Sequence, residues 1–238
     1  MQEKLAELFD FEVALSPDPE DAGRHLRAQF FDVVVVDVLY RGLSERYNVQ
    51  RGLARQSLSE LEPYNLSGLA VVDAVAHLPA PPAIVVWTSG DPNRALHLVL
   101  AYQDFGIRVF CSKESRLETI GRAITAAMQR QPFTDLSLRP FMPRHGLPPI
   151  GTVLFRERKW RAIWRALAAG SQAHEVTARM THYDQQTIRK AMSPMAHELA
   201  VLNPRINPDK QQFNQLSSYA TYHWEFFLDR AVFARYPH

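Results

Sequence analysis

The sequence predicts an α/β domain with a parallel sheet, followed by an all-helical domain. In the front half of the 238-residue chain, short runs of Val and Ile such as FDVVVVDV, residues 31–38, alternate with segments of helical period. Continuous apolar strands separated by helices are typical of a parallel sheet that is covered on both faces. After residue 151 every apolar period is helical, which predicts the second domain.

Each element of the front half follows from its local pattern. Acidic residues occupy the first turn of the first helix and Gly106 follows the third, as expected for helix starts and ends. Functional side chains of parallel sheets lie beyond the carboxyl ends of the strands, so those ends carry the candidate site. Strand patterns occupy residues 11–15, 31–38, 83–89 and 107–113, and helix patterns occupy residues 17–30, 67–78, 93–106 and 115–130.

A proline-rich segment separates the two halves. Residues 132–151 contain five prolines, and because proline fixes φ and lacks an N–H, we predict an extended linker there. The chain therefore divides into residues 1–131, the linker, and residues 152–238. Residues 1–131 hold 13 Lys and Arg against 17 Asp and Glu, whereas residues 151–238 hold 12 against 7. The basic second half is the candidate for binding nucleic acid.

Composition argues against several classes of protein. No window approaches the ~20 apolar residues of a membrane helix, and the N-terminus has no apolar signal core. The single cysteine, Cys111, cannot form an internal disulfide or a cysteine-based metal cluster, which fits a cytoplasmic protein. No nucleophile–base pair or metal-ligand spacing is visible, so neither an enzyme nor a bound cofactor or metal is expected.

Three polar side chains follow consecutive predicted strands: Asp37, Thr88 and Lys113. In this order and position they resemble the receiver domain of the response-regulator family, which has a flavodoxin-like fold. Phe110 matches the aromatic switch position of that family. The resemblance implies a phosphoryl pocket in which Asp37 is the nucleophile, Thr88 hydrogen-bonds the phosphoryl group and Lys113 pairs with its charge.

The acid pair with which the family holds Mg²⁺ is the main departure. If residues 11–15 form the family's second strand, the sheet lacks the first strand and its acids. If they take the first strand's place, the acids that follow are Asp18, Glu20 and Asp21, a displaced substitute. Without a divalent cation, little offsets the repulsion between phosphate and Asp37. We therefore predict a degenerate receiver that is not controlled by conventional aspartyl phosphorylation.

Two alternatives stay open for Asp37: a working phosphorylation site, or an unrelated α/β domain with an acid at a strand end. Two further departures bear on the pocket. Glu114 replaces the proline that follows the family's lysine, and residues 41–66 are an insertion. The insertion could form a short helix over the site, or it could be a solvated loop, which we favour. Its arginines, of which Arg51 or Arg55 could pair with Asp37, are Arg41, Arg46, Arg51 and Arg55.

The sequence pattern of the second half predicts a helix-turn-helix motif. A helical pattern at residues 155–170 ends at Gly170, and Ser171 is a plausible cap for the next helix. A turn at residues 181–184 precedes a polar, basic helix capped by Asp184. The segment resembles the LuxR-type DNA-binding domain, through Arg156-Glu157-Arg158, Gly170, Glu175-Val176, Met180 and Thr187-Ile188.

That resemblance implies contacts with double-stranded DNA. The early residues of the recognition helix would reach base edges, and its flanks would meet phosphates. Because Pro194 cannot continue a helix without losing a hydrogen bond, we predict a recognition helix at residues 184–192 and a separate helix from Pro194 to about residue 202. The predicted base contacts are Gln185, Gln186, Arg189 and Lys190, and the predicted phosphate contacts are Thr187, Thr181 and His182.

An aromatic, helical stripe between Leu216 and Phe233 follows the predicted DNA-binding domain. Its core role is the simplest interpretation, and its width leaves room for a dimer surface or a contact with the front domain. The predicted function is that of a sequence-specific transcription regulator of the two-component type, acting as a homodimer. The alternative is a protein-interaction module that docks on RNA polymerase or a signalling partner. A small-molecule ligand in the altered pocket also remains open.

Overall fold

The front half is an α/β unit built on a four-stranded parallel sheet. A computed structural model of the chain describes residues 12–40 and 67–236. The strands are ordered β1-β2-β3-β4, and every neighbouring pair is parallel, which confirms the predicted α/β class. In chain order the elements are α1 (Pro19–Ala28), β1 (Val33–Val36), α2 (Leu69–Ala76), β2 (Ala83–Thr88), α3 (Ala95–Gln103), β3 (Val109–Ser112), α4 (Leu117–Met128) and β4 (Phe133–Thr134).

The sheet is covered on both faces, which explains why its strands are continuously apolar. On one face, α4 packs over Val85, Val109 and Cys111. On the other face, Val86 and Phe110 belong to the main core. All four residues of β3 are buried, as expected for the middle of a parallel sheet.

The strand predicted at residues 11–15 is wrong for its described part. Phe11 lies outside the described residues, and residues 12–15 form no strand. Leu15 is 67% exposed, so the short apolar run FEVAL does not pack as a strand of the sheet. Shortly after it, Asp18 caps α1 by accepting hydrogen bonds from the backbone N–H groups of Glu20 and Asp21. The capping signal, and not the preceding alternation, determines the local structure.

The segment 132–151 is packed against the sheet and is not an extended linker. Its first residues form β4, which pairs with β3, and a 3₁₀ turn follows at Leu136–Phe141. Leu138 is fully buried and Ile150 is 1% exposed. Proline count alone did not distinguish a packed connection from an extended one, because the same fixed φ suits both.

Apart from a bridge residue at Asp229, the regular secondary structure of the second half is helical in its described residues, and this half buries several aromatic rings. Trp160, Trp164, Phe226 and Phe227 are almost fully buried, and the rings of Trp164 and Phe227 stack at 4.7 Å between centroids. The helices are α5 (Ile150–Leu154), α6 (Arg158–Ala168), α7 (His174–Thr181), α8 (Gln185–Leu202), α9 (Gln212–Tyr222), α10 (Trp224–Leu228) and α11 (Arg230–Arg235).

Helix α8 runs through Pro194, so the predicted break between residues 192 and 194 is wrong. An interior proline costs about 3 kcal/mol in helix stability. Burial offsets that cost, since Ala191, Met192, Met195 and Leu199 lie on one buried face on both sides of the proline. Tertiary packing thus overrides the local rule.

Ser171 does not cap the next helix either. Helix α7 begins at His174 after Ala173. The buried hydroxyl of Ser171 lies 2.6 Å from the hydroxyl of Thr177, so Ser171 forms a side-chain hydrogen bond with a residue of α7 and does not cap that helix. The end of α6 is as predicted, with Gly170 at a positive φ of 96°.

The two halves share one hydrophobic core. A single cluster of buried residues contains Val86 and Leu98 from the front half together with Trp164 and Phe227 from the back half. Helix α11 packs against α2. Of the two extra roles considered for the aromatic stripe, contact with the front half is therefore observed. No helix within residues 12–40 and 67–236 is long and apolar enough to cross a membrane.

Candidate functional site

The carboxyl ends of β1, β2 and β3 bring Asp37, Thr88 and Lys113 to one edge of the sheet. The register pairs Val36 with Val86 and Thr88 with Ser112, so the residues that end the strands are aligned. Lys113 Nζ lies 2.5 Å from Asp37 Oδ2, and its backbone N–H donates to the carbonyl of Thr88 at 2.9 Å. Thr88 is fully buried.

A fourth residue, Arg94, completes this group. It ends the 3₁₀ turn Pro92–Arg94 that leads into α3, a turn capped by the side chain of Asp91. Its Nη1 donates to Thr88 Oγ1 at 2.7 Å and lies 3.4 Å from Asp37 Oδ1. Arg94 is only 5% exposed. We call Asp37, Thr88, Arg94 and Lys113 the strand-end cluster.

Sequence reasoning missed Arg94. Its only sequence signal is its place in the loop after β2, where functional side chains of parallel sheets are found. Arg94 follows Thr88 by six positions and lies beyond the end of β2. Nothing in the local sequence pattern indicates that its side chain contacts Thr88 and Asp37. The contact depends on the path of the turn, which the periodicity does not encode.

The strand-end cluster places a cation next to each oxygen of the Asp37 carboxylate. Arg94 lies beside Oδ1 and Lys113 beside Oδ2. A buried guanidinium requires a charged or hydrogen-bonded partner, and Thr88 and Asp37 supply it. Nearby, burial raises the pKa of Tyr40 to about 12, and the charges of Asp37 and Asp18 add to the shift, so its hydroxyl stays protonated.

The described residues around Asp37 do not fit a magnesium ion. Two of the displaced acids, Asp18 and Asp21, are engaged in α1, where Asp18 accepts backbone hydrogen bonds at the helix start. Hydrogen bonds from Ser16 and Arg24 lower the pKa of Asp21. Within the described ranges, no group of three or more His, Cys, Asp or Glu residues could hold a metal ion. Mg²⁺ prefers oxygen ligands, whereas Asp37 is flanked by two cations.

Phe110 packs in the core near the strand-end cluster, and Glu114 joins the loops beside it. Phe110 is fully buried, and its ring centroid lies 6.3 Å from that of Tyr102. The Glu114 carboxylate accepts hydrogen bonds from the hydroxyl of Ser112 and from the backbone N–H of Gly90, and the bond from Ser112 is the main cause of its lowered pKa. Glu114 thus joins the loops after β2 and β3.

The flanks of the insertion meet beside Asp37. Leu39 and Ser67 form an antiparallel bridge, and Gly68 donates its N–H to the carbonyl of Val38 at 3.2 Å. A Cβ atom at Gly68 would overlap the backbone carbonyl oxygen of Asp37, so this close approach requires glycine. The insertion itself lies outside the described residues, with the predicted contacts of its arginines Arg41, Arg46, Arg51 and Arg55.

The second candidate surface is the amino-terminal part of α8. Helix α7 ends at Thr181, and the next residue, His182, has a left-handed φ of 59°. Helix α8 begins after the cap residue Asp184. Ile188 is buried against the helical core, whereas three polar side chains face solvent on the other side. The exposed predicted DNA contacts are Gln186, Arg189, Lys190 and His182.

The remaining predicted DNA contacts are engaged within the protein. The Gln185 amide donates to the Glu175 carboxylate. The hydroxyl of Thr187 donates to Asp184 Oδ2 at 2.6 Å, and that of Thr181 donates to the carbonyl of Thr177 at 2.8 Å. These three side chains are therefore less available to bases or phosphates than the exposed ones.

Comparison of the chain with protein-family models and with curated proteins gives no match. The geometry of the two candidate surfaces is therefore the basis for assigning a function.

Proposed function

We propose that the chain is a sequence-specific DNA-binding transcription regulator. In this proposal α7 and α8 form a LuxR-type helix-turn-helix, and the α/β unit is a flavodoxin-like receiver that has lost conventional phosphorylation. The observation that carries the proposal is the exposed face of α8, where Gln186, Arg189 and Lys190 follow a short turn and face away from the core. A short, exposed polar and basic helix start after a turn is the arrangement that enters a major groove.

The chemistry of that face suits base and phosphate recognition. Arginine reads guanine and glutamine reads adenine through paired hydrogen bonds, while lysine and histidine suit phosphate oxygens. As a homodimer, the protein would place two such helices on half-sites about one helical turn apart. Binding would weaken steeply with salt because Lys and Arg contacts release counterions.

The strand-end cluster supports a receiver that works without aspartyl phosphorylation. A phosphoryl donor must approach Asp37, yet both carboxylate oxygens are paired with cations and the described surroundings lack a magnesium site. The buried Arg94 donates to Thr88 Oγ1 at 2.7 Å, so its guanidinium lies directly beside the hydroxyl that would hold a phosphoryl group. A regulatory input through another ligand, a protein partner or abundance remains compatible with this arrangement.

A specific observation favours a second candidate, docking on a protein such as RNA polymerase or a signalling partner. Two carboxylates, Glu175 and Asp184, lie near the start of α8. Hydrogen bonds, first of all with its own backbone, lower the pKa of Glu175, and the charge of Arg189 adds to the shift. Acids at this position weaken attraction to DNA but suit a protein surface of mixed charge.

Selection from a pool of random duplexes tests the first candidate against the second. The full chain is incubated with the pool and bound duplexes are recovered and sequenced through several rounds. Enrichment of one motif, with two related half-sites about 10 base pairs apart, supports the regulator. Recovery of unrelated sequences at all rounds, or no recovery, excludes sequence-specific binding and leaves protein docking.

A further inference from the structure

A buried polar cluster joins the start of α3 to the C-terminal helices. His97 and Asp229 are fully buried, and His223 is 8% exposed. Asn93 and His97 come from the α/β unit, whereas His223 ends α9 and Asp229 lies between α10 and α11. The cluster, together with Ser67, therefore spans the junction between the two halves, and we call it the junction cluster.

Asp229 is the centre of the junction cluster. Its Oδ2 accepts a hydrogen bond from the hydroxyl of Ser67 and lies 3.4 Å from His97 Nε2. Its Oδ1 accepts from the N–H of Ala231 at 3.2 Å, which caps α11. One carboxylate thus fixes the start of α11 to two residues of the α/β unit.

Several buried polar atoms at this junction lack hydrogen-bond partners within the described part of the chain. They are Asn93 Oδ1, both ring nitrogens of His97 and His223 Nδ1. His97 Nε2 lies 3.4 Å from Asp229 Oδ2, an ion-pair distance without a hydrogen bond. Buried polar atoms without partners cost about 1–3 kcal/mol each and are rare in folded proteins. Because these atoms gain no hydrogen bonds at the junction, apolar packing must hold the two halves together there. One such contact is the edge-to-face packing of His97 on Phe226, with ring centroids 5.2 Å apart.

We propose that the junction cluster is a pH-sensitive latch: neutral His223 keeps the C-terminal helices docked on the α/β unit, and its protonation releases them. The latch goes beyond the proposed function and does not depend on DNA binding. It requires only that protonated His223 is more stable when the C-terminal helices have separated from the α/β unit than when they are packed against it.

One group facing His223 stabilises its protonated form: a hydrogen bond with the backbone of Asn93 raises the pKa, but by less than burial and His97 lower it. The other facing groups do not stabilise that form. From α3, His97 is a second imidazole. From α9, the rings of Tyr219 and Tyr222 lie at 4.5 and 4.8 Å. The carboxylates at the junction are already engaged, with Glu225 accepting from Asn93 at 3.4 Å and Asp229 contacting Ser67 and His97. The cation on the α3 side, Arg94, points to Thr88 and Asp37.

Burial lowers the pKa of His223 from its ordinary value of 6.5 to about 4, with His97 adding to the shift. The released state, with the ordinary pKa, therefore binds more protons than the docked state as pH falls below 6.5. Docking is fully stable above that pH and weakens as pH falls toward about 4. From these two values, the equilibrium constant for release rises about 10-fold between pH 7.5 and pH 5.5.

Hydrogen exchange of the full chain tests the latch, with rates corrected for the intrinsic effect of pH. We expect amides of residues 224–235 to lose about 10-fold of their protection at pH 5.5 relative to pH 7.5. Residues 117–128 of α4, which pack on the opposite face of the sheet, serve as the internal reference and should not change. Equal protection of residues 224–235 at both pH values overturns the latch.

Two variants and one titration make the assignment specific. His223→Gln, which cannot be protonated, should abolish the pH response. His77→Gln, a change at an exposed histidine directly after α2, should leave it intact. A response that persists in His223→Gln overturns the proposal. Should that variant not fold, NMR titration of the wild-type imidazoles decides, since His223 titrating near 6.5 contradicts the latch and titration well below 5 supports it.

Discussion

Arg94 donates a hydrogen bond to the hydroxyl of Thr88 at 2.7 Å, with its guanidinium almost completely buried. The same Nη1 atom lies 3.4 Å from Asp37 Oδ1, so one cation links the ends of β1 and β2. Together with Lys113 it leaves Asp37 with a partner on each oxygen. Because of these contacts, we propose that Asp37 serves as the partner of two cations and not as a phosphoryl acceptor.

Asp37 should not accept a phosphoryl group. When the protein is incubated with Mg²⁺ and a small acyl-phosphate donor, we expect intact-mass measurement to show no added phosphoryl group. The cation on each carboxylate oxygen lowers its nucleophilicity, and the described residues around Asp37 offer no magnesium site to bind the donor. A gain of one phosphoryl group that disappears in Asp37→Asn would restore the conventional receiver.

Arg94→Met should destabilise the fold more than Lys113→Met. The first change breaks a buried ion pair and leaves the hydroxyl of Thr88 without its partner, at a cost of about 3 kcal/mol in the free energy of unfolding. The second removes a side chain that is 34% exposed, for which we expect about 1 kcal/mol or less. Urea denaturation of both variants measures the difference, and equal losses would show that Arg94 is not the main support of Asp37.

Gly68→Ala should destabilise the protein because the new methyl group meets the backbone carbonyl of Asp37. Overpacking against backbone costs about 1–3 kcal/mol. Gly23→Ala, within α1, is the matched control: its Cβ meets only the flexible guanidinium of Arg27 at 3.6 Å, and alanine should stabilise the helix by about 0.5–1 kcal/mol. Thermal unfolding compares the two, and a neutral Gly68→Ala would mean that α2 does not start against Asp37 as described.

The sequence predicted the position of three members of the strand-end cluster. Parallel strands end at the same edge, so strand recognition alone places Asp37, Thr88 and Lys113 together. It missed Arg94, because the path of a turn decides where that side chain points. Two predictions based on proline were wrong: a helix break at Pro194 and an extended linker at residues 132–151. Burial of Met195 and Leu138 outweighs the local conformational preference of proline.

The junction cluster shows a second limit of sequence reasoning. Ser67, His97 and Asp229 are far apart in the chain, and each looks ordinary in its local context. Only the docking of the C-terminal helices on the α/β unit brings them within contact distance. A polar contact between residues far apart in the chain produces no periodic pattern in the sequence. The aromatic stripe that buries this contact does have helical periodicity, so the sequence predicted it.

The affinity of the full chain for a selected duplex, compared between two double variants, tests the central claim most directly. Arg189→Ala with Lys190→Ala removes two exposed cations of α8, whereas Arg205→Ala with Lys210→Ala removes two exposed cations of the following loop and keeps the same net charge. Fluorescence anisotropy should show at least a 10-fold weaker affinity for the α8 variant, because each base-contacting Arg contributes about 1–3 kcal/mol, and a smaller salt dependence. The loop variant should bind within about 3-fold of the wild type. Equal affinities of the two variants, at equal stability, would contradict DNA recognition by α8.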